Sequence, residues 1–157
     1  MDKRRLIAIP KKDHDMSNIP FEKIALGVSG LTALAIGGYI VSAPHAFYAS
    51  YGIALGQDAS LLSELRAPGA GLAAFGILML LGIWRRAILP ISVAVALTVF
   101  LAFPAGRLVS LVVDGMPSGS VIAALVVEIA IAALLVAAFR RRLRQPASPA
   151  SAVHPMR

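Results

Sequence analysis

Six polar side chains stand inside or beside long apolar runs: Glu64, Arg66, Arg107, Ser110, Asp114 and Glu128. A lone charge in the middle of a bilayer costs roughly 2.5 kcal/mol or more, so each charge needs a partner, a proton or a route to water. Arg107, Ser110 and Asp114 fall at i, i+3 and i+7 and share one helical face. Glu64 and Arg66 are two residues apart and point about 200° from one another, so they cannot pair within a helix. The expected solution is interhelical: Arg107 with Glu128, and Arg66 with Asp114 or Glu64. Three carboxylates and two guanidiniums leave −1 when all are ionised, which suits a proton, a cation or a cationic ligand. Such a cluster can bind a lipid head group, a quinone or a partner helix. The plainer reading is a set of charge pairs that fix helix register and orientation.

An enzymatic reading would use Glu64 or Glu128 as general base and Arg107 as an anion clamp. No nucleophile–base pair, metal motif or phosphate loop accompanies them, so no catalytic residue and no cofactor is assigned, and an enzyme has the least support. Beside Arg107, Ser110 reads as a helix-packing hydroxyl. Cysteine is absent, which excludes disulfides, iron–sulfur clusters and thiolate zinc sites. His14, His45 and His154 are far apart and no pair has ligand spacing, so no metal site is expected.

Positioning these groups is a task for membrane helices. The 157 residues are 58% hydrophobic and only 15% charged, against about a quarter charged in soluble domains. The net charge of +7 sits in short basic blocks beside apolar runs, which points to membrane topology and not to nucleic acid. Residues 1–23 read as a basic cytoplasmic tail, with Pro10 and Pro20 discouraging a long helix. The run 24–43 is long enough to span a ~30 Å core. It exceeds the ~7–15 residues of a signal-peptide core, and Pro44 directly after Val41-Ser42-Ala43 should hinder cleavage. Gly27, Ser29, Gly30, Ala33, Gly37 and Gly38 give this first helix a small-residue side for close packing.

Residues 44–63 read as a loop whose Phe47, Tyr48 and Tyr51 suit a membrane interface. A second helix is expected over 60–84, capped by Asp58 or Ser60, with Pro68 either inside it or in its first turn. A third spans 87–113, interrupted at Pro104 and Arg107. A fourth spans 120–139, capped by Ser118 or Ser120, and residues 141–157 read as a disordered cytoplasmic tail. The basic blocks at the N-terminus, Arg85-Arg86 and Arg140–Arg142 fall on one side if four spans alternate, and the positive-inside rule makes that side the cytoplasm. The expected object is an all-α bundle of four transmembrane helices in the inner membrane, both termini cytoplasmic.

Depth follows from the helical rise. Glu64 lies 20 residues before Trp84 and Arg107 lies 20 after Ala87, each ~30 Å from the basic interface. Glu128 lies ten residues past Ser118, ~15 Å into the membrane, within reach of Arg107. The inner halves, for example 75–82 and 88–101, are almost purely apolar, which argues against a polar path through one subunit. The leading expectation is therefore a small binding or accessory protein. The alternative is an oligomeric proton-coupled transporter using Glu128.

The segments ELRAPGAGL at 64–72, GRLVSLVVDGMPS at 106–118 and YASYGIAL at 48–55, with Glu128 in the last helix, resemble the bacterial membrane proteins grouped as domain of unknown function 4345. The resemblance covers about residues 27–140. It implies a four-helix integral membrane protein without an assigned chemistry, near the DoxX-like four-helix group, some members of which are linked to quinone or redox chemistry.

Overall fold

The computed structural model describes residues 19–144, and the rest of both expected tails lies outside the described residues. Five helices follow one another: α1 (Ile19–Ser42), α2 (Pro44–Ala49), α3 (Ala59–Trp84), α4 (Leu89–Val113) and α5 (Gly119–Leu143). No strand occurs among the described residues. All but α2 are long and apolar enough to cross a membrane. The protein is thus a multi-pass, all-α membrane protein whose outward faces carry Leu31, Ile77, Val109 and Val126 into lipid.

The helix ends depart from the sequence reading for local reasons. Residues Ile19–Lys23 are helical rather than tail, because Pro20 lies in the first turn, where its missing N–H is no loss, and Glu22 complements the positive helix end. The segment expected to be a loop over 44–63 contains α2, which starts on a proline at its first position. Pro68 lies inside α3, and Asp58 caps that helix by accepting from Leu61 N at 2.7 Å. The α4 helix runs uninterrupted through Pro104 and Arg107, with Pro104 buried against its neighbours. The α5 helix continues to Leu143, so 141–143 are not tail; Arg140, Arg141 and Arg142 occupy its last turn, where positive charge meets the negative helix end.

The four long helices form an up-down-up-down ring in the order α1, α3, α4, α5, with α5 closing back on α1. The α1–α3 contact is the most extensive. Gly30 and Gly37 of α1 face Gly76 and Gly69 of α3, so the two backbones meet without side chains between them. A Cβ at Gly37 would collide with backbone atoms of Gly69 and Ala73. Between α3 and α4, Ser92 lies against Gly82 and donates to Leu78 O at 2.8 Å. The half of the bundle toward Arg85 and Arg140 is filled solid by Leu26, Met79, Leu135 and Phe139, none more than 1% exposed. At that basic end, Arg142 forks onto Glu22, with Nε and Nη2 each 2.9 Å from a carboxylate oxygen. This pair ties the start of α1 to the end of α5 and puts both termini of the bundle at one end.

Candidate functional site

Packing loosens in the opposite half. A chamber of ≈ 190 Å³ opens there between the four long helices. Ala33, Ile36 and Ile40 of α1 and Phe100 and Phe103 of α4 give it apolar walls. One polar patch interrupts them, Arg107 of α4 beside Glu128 of α5. These helices run antiparallel, so a residue six before the end of α4 stands level with the tenth residue of α5. Arg107 Nε donates to both carboxylate oxygens of Glu128, at 3.1 and 3.0 Å. The Glu128 side chain is 11% exposed and the Arg107 side chain 27%. The ion pair is therefore desolvated on the glutamate side and partly open on the arginine side.

The Nε approach has a consequence. A two-pronged fork would engage at least one Nη group, as Arg142 does on Glu22 through Nε and Nη2. Here a single N–H serves both oxygens, and the Nη groups of Arg107 bond to none of the described residues. The guanidinium carbon lies 6.0 Å from the centroid of the Tyr51 ring, at the outer range of a cation–π contact.

A lid closes the chamber from the end. It consists of α2 and the turn after it, which supply Phe47, Tyr48, Tyr51 and Ile53 to the lining. Phe47 is the hub, its ring 5.6 Å from Tyr39, 5.2 Å from Tyr48 and 5.1 Å from Tyr51, in edge-on or tilted contacts. Two hydrogen bonds fix the lid. Ser118 Oγ donates to Tyr51 O at 2.9 Å and His45 Nε2 to Gly56 O at 3.2 Å. Beside it, Arg66 Nε of α3 donates to Val41 O near the end of α1, at 3.1 Å. Gly52, at φ +80°, takes the left-handed turn that lets the chain leave α2. Burial, with a smaller contribution from neighbouring Tyr51, raises the Tyr48 phenol above its ordinary 10.0. Neither Tyr48 nor Tyr51 makes a hydroxyl hydrogen bond to a described residue.

The six polar residues singled out in the sequence thus separate. Arg107 and Glu128 come together as expected. Arg66 pairs with neither Asp114 nor Glu64. It serves the Val41 carbonyl, left without an intrahelical partner where α1 breaks before Pro44. Glu64 is exposed and makes no hydrogen bond or ion pair to any described residue. The buried stripe of α3, Gly69, Leu72, Gly76 and Met79, extrapolates back to Leu65, so Glu64 and Arg66 each stand about 100° to either side of it. Ser110 is exposed, not packed, and its hydroxyl donates to Asp114 at 2.7 Å. Ser118 stands at the N-cap of α5, but its hydroxyl goes to the lid instead of capping. Among the described residues no three His, Cys, Asp or Glu side chains gather as metal ligands.

The family model described as a domain of unknown function, DUF4345, matches residues 21–139. The chain belongs to the DUF4345 family. No curated protein and no solved structure matches it. The stretch matched by the DUF4345 model contains the whole lid, every residue that lines the chamber, and both partners of the Arg107–Glu128 pair. Of the terminal clamp it includes Glu22 but not Arg142.

The aromatic lid is what sequence reasoning missed. Phe47, Tyr48 and Tyr51 read equally well as interface anchors, since one residue type serves both roles. A signal was present: Pro44 followed by aromatics at 47, 48 and 51 is a helix start with rings at i, i+1 and i+4.

Proposed function

We propose that this DUF4345 protein is a membrane-embedded binding protein that takes the head of a lipid or quinone-like amphiphile into the chamber. The chamber itself carries the proposal: apolar walls, one ion pair with spare donors, and an aromatic lid around ≈ 190 Å³. That volume falls below the ~300–1,000 Å³ of sites that engulf a drug-sized ligand. It suits one ring or one head group, with the tail left among the lipids. The positive-inside bias of Arg85, Arg86 and Arg140–Arg142 supports a cytoplasmic basic end, and so a chamber facing the outer side of a bacterial inner membrane.

Transport through one subunit has weaker support, because Met79, Leu135 and Phe139 fill the basic half and offer no polar route. Native mass spectrometry of protein released gently from its membrane tests the proposal. A retained mass is expected in the wild type and should disappear in Phe100→Trp, whose larger ring fills the chamber. A wild type that carries no adduct, or a variant that keeps it at equal occupancy, counts against the proposal. Proton flux in liposomes is expected to be the same for wild type and Glu128→Gln; a difference would favour the transporter.

A further inference from the structure

Granting the binding reading above, we infer that the chamber selects an uncharged, flat ligand that presents a hydrogen-bond acceptor such as a ring carbonyl, and discriminates against carboxylates and phosphates. Charge and donor count set this selectivity. Arg107 is the cation of the chamber, and Glu128 neutralises it at 3.0 Å from within the same lining. An anionic head group reaching Arg107 would bring a second negative charge beside a carboxylate that is almost wholly shielded from water. It would also give up its own hydration in an apolar enclosure. An uncharged acceptor meets neither penalty.

Donors, by contrast, are in surplus. Arg107, Tyr48 and Tyr51 all line the chamber, and neither the Nη groups of Arg107 nor the two phenol hydroxyls are bonded to a described residue. Glu128 is the lining's ionised acceptor, and Arg107 Nε already occupies both of its oxygens. A carbonyl oxygen accepts from a guanidinium N–H without changing the net charge. Phe47, Phe100 and Tyr51 supply ring faces and edges for the body that carries it.

The test uses three fluorinated rings of one size: 4-fluoroacetophenone (neutral, acceptor), 4-fluorobenzoate (anion) and 4-fluorotoluene (neutral, no acceptor). Binding to the full chain in lipid nanodiscs is read by 19F NMR against empty nanodiscs. The ketone is expected to bind about tenfold or more tightly than either other ring. In Glu128→Gln, where Arg107 is no longer neutralised, the ratio of ketone to benzoate should fall toward one or invert. Benzoate binding the wild type as tightly as the ketone overturns the inference and leaves the binding reading standing, as does toluene matching the ketone. If none of the three exceeds the empty nanodisc, the binding reading fails as well. The wild-type ranking needs no variant, so misfolding of Glu128→Gln cannot rescue the inference.

Discussion

Adjacent glycines in α1 should respond to the same substitution with opposite sign. A Cβ added at Gly37 would overlap backbone atoms of Gly69 and Ala73, which belong to the facing helix and cannot rotate aside. A Cβ added at Gly38 meets nothing within 4 Å. Overpacking of this kind costs about 1–3 kcal/mol. Replacing a helical glycine by alanine returns up to about 1 kcal/mol through lower backbone entropy in the unfolded chain. Gly37→Ala should therefore destabilise by about 1–2 kcal/mol net, and Gly38→Ala should stabilise by up to about 1 kcal/mol. Gly76→Ala should behave like Gly37→Ala, since its Cβ would lie 2.7 Å from Gly30 O and as close to the Leu34 backbone. Gly69→Ala should also destabilise, though less than Gly37→Ala, because its nearest atoms are Cγ2 and Cβ of Ile40 at 2.7 and 2.9 Å, and turning that side chain withdraws only the first. Reversible unfolding in mixed micelles, followed by helical circular dichroism as denaturing detergent is raised, gives all four values. The reasoning fails if Gly38→Ala proves more harmful than Gly37→Ala, or if the ranking ignores whether the neighbour is backbone or side chain.

Three further outcomes are expected. Arg107→Gln and Glu128→Gln should each destabilise by about 2–3 kcal/mol by stranding a charge within the bundle, while the double variant should lie closer to wild type; strictly additive losses in the same unfolding assay would show that the pair is uncoupled. Arg142→Gln should cost under about 1 kcal/mol and lose its effect in about 1 M salt, since the side chain it alters is 54% exposed; a large, salt-insensitive loss would argue that the clamp is buried in use. Because the folded Tyr48 phenol is raised above 10.0, the unfolded chain releases that proton first as pH rises; its contribution is present below pH ~10 and is lost as pH climbs through the folded value. Phenolate absorbance should show one late-titrating tyrosine that disappears in Tyr48→Phe, and an unchanged titration curve would exclude the assignment.

What the sequence made legible depended on whether the responsible signal was local. The four spans were readable because length, hydropathy and basic blocks are properties of contiguous residues. The Arg107–Glu128 contact was readable because two costly charges at matched depth have few alternatives. The partner of Arg66 was not, since the carbonyl of Val41 is a backbone atom that leaves no mark in residue identity. The same holds for Ser118, whose hydroxyl crosses to Tyr51 O, 67 residues away in the chain. Depth alone grouped Glu64 and Asp114 with the deep pair, but depth carries no azimuth. The extrapolated stripe of α3 passes between Glu64 and Arg66, so neither faces the chamber squarely. Pro104 was read as an interruption because the rule for soluble helices was applied to a residue that its neighbours bury.

The glycine seam and the chamber are two results of one packing problem. Four helices of similar length cannot all approach closely at every level unless their side chains match in size. Gly30, Gly37, Gly69 and Gly76 bring α1 and α3 into backbone contact. In the basic half, the bulk of Phe139, Met79 and Leu135 fills the space left beside that seam. In the other half α5 offers Glu128 and Val121 toward the interior where the basic half has phenylalanine and leucine, and α4 answers with Arg107. An ion pair bridged through one Nε joins α4 to α5 there, beside the open space. Filling that space with apolar side chains would remove the cost of the buried charges. A chain that served only as a structural bundle could adopt that solution at three or four positions. We read the polar wall, and a lid tied by hydrogen bonds to Ser118 of α5 and within its own turn, as favouring the proposed binding over helix registration in this half of the molecule.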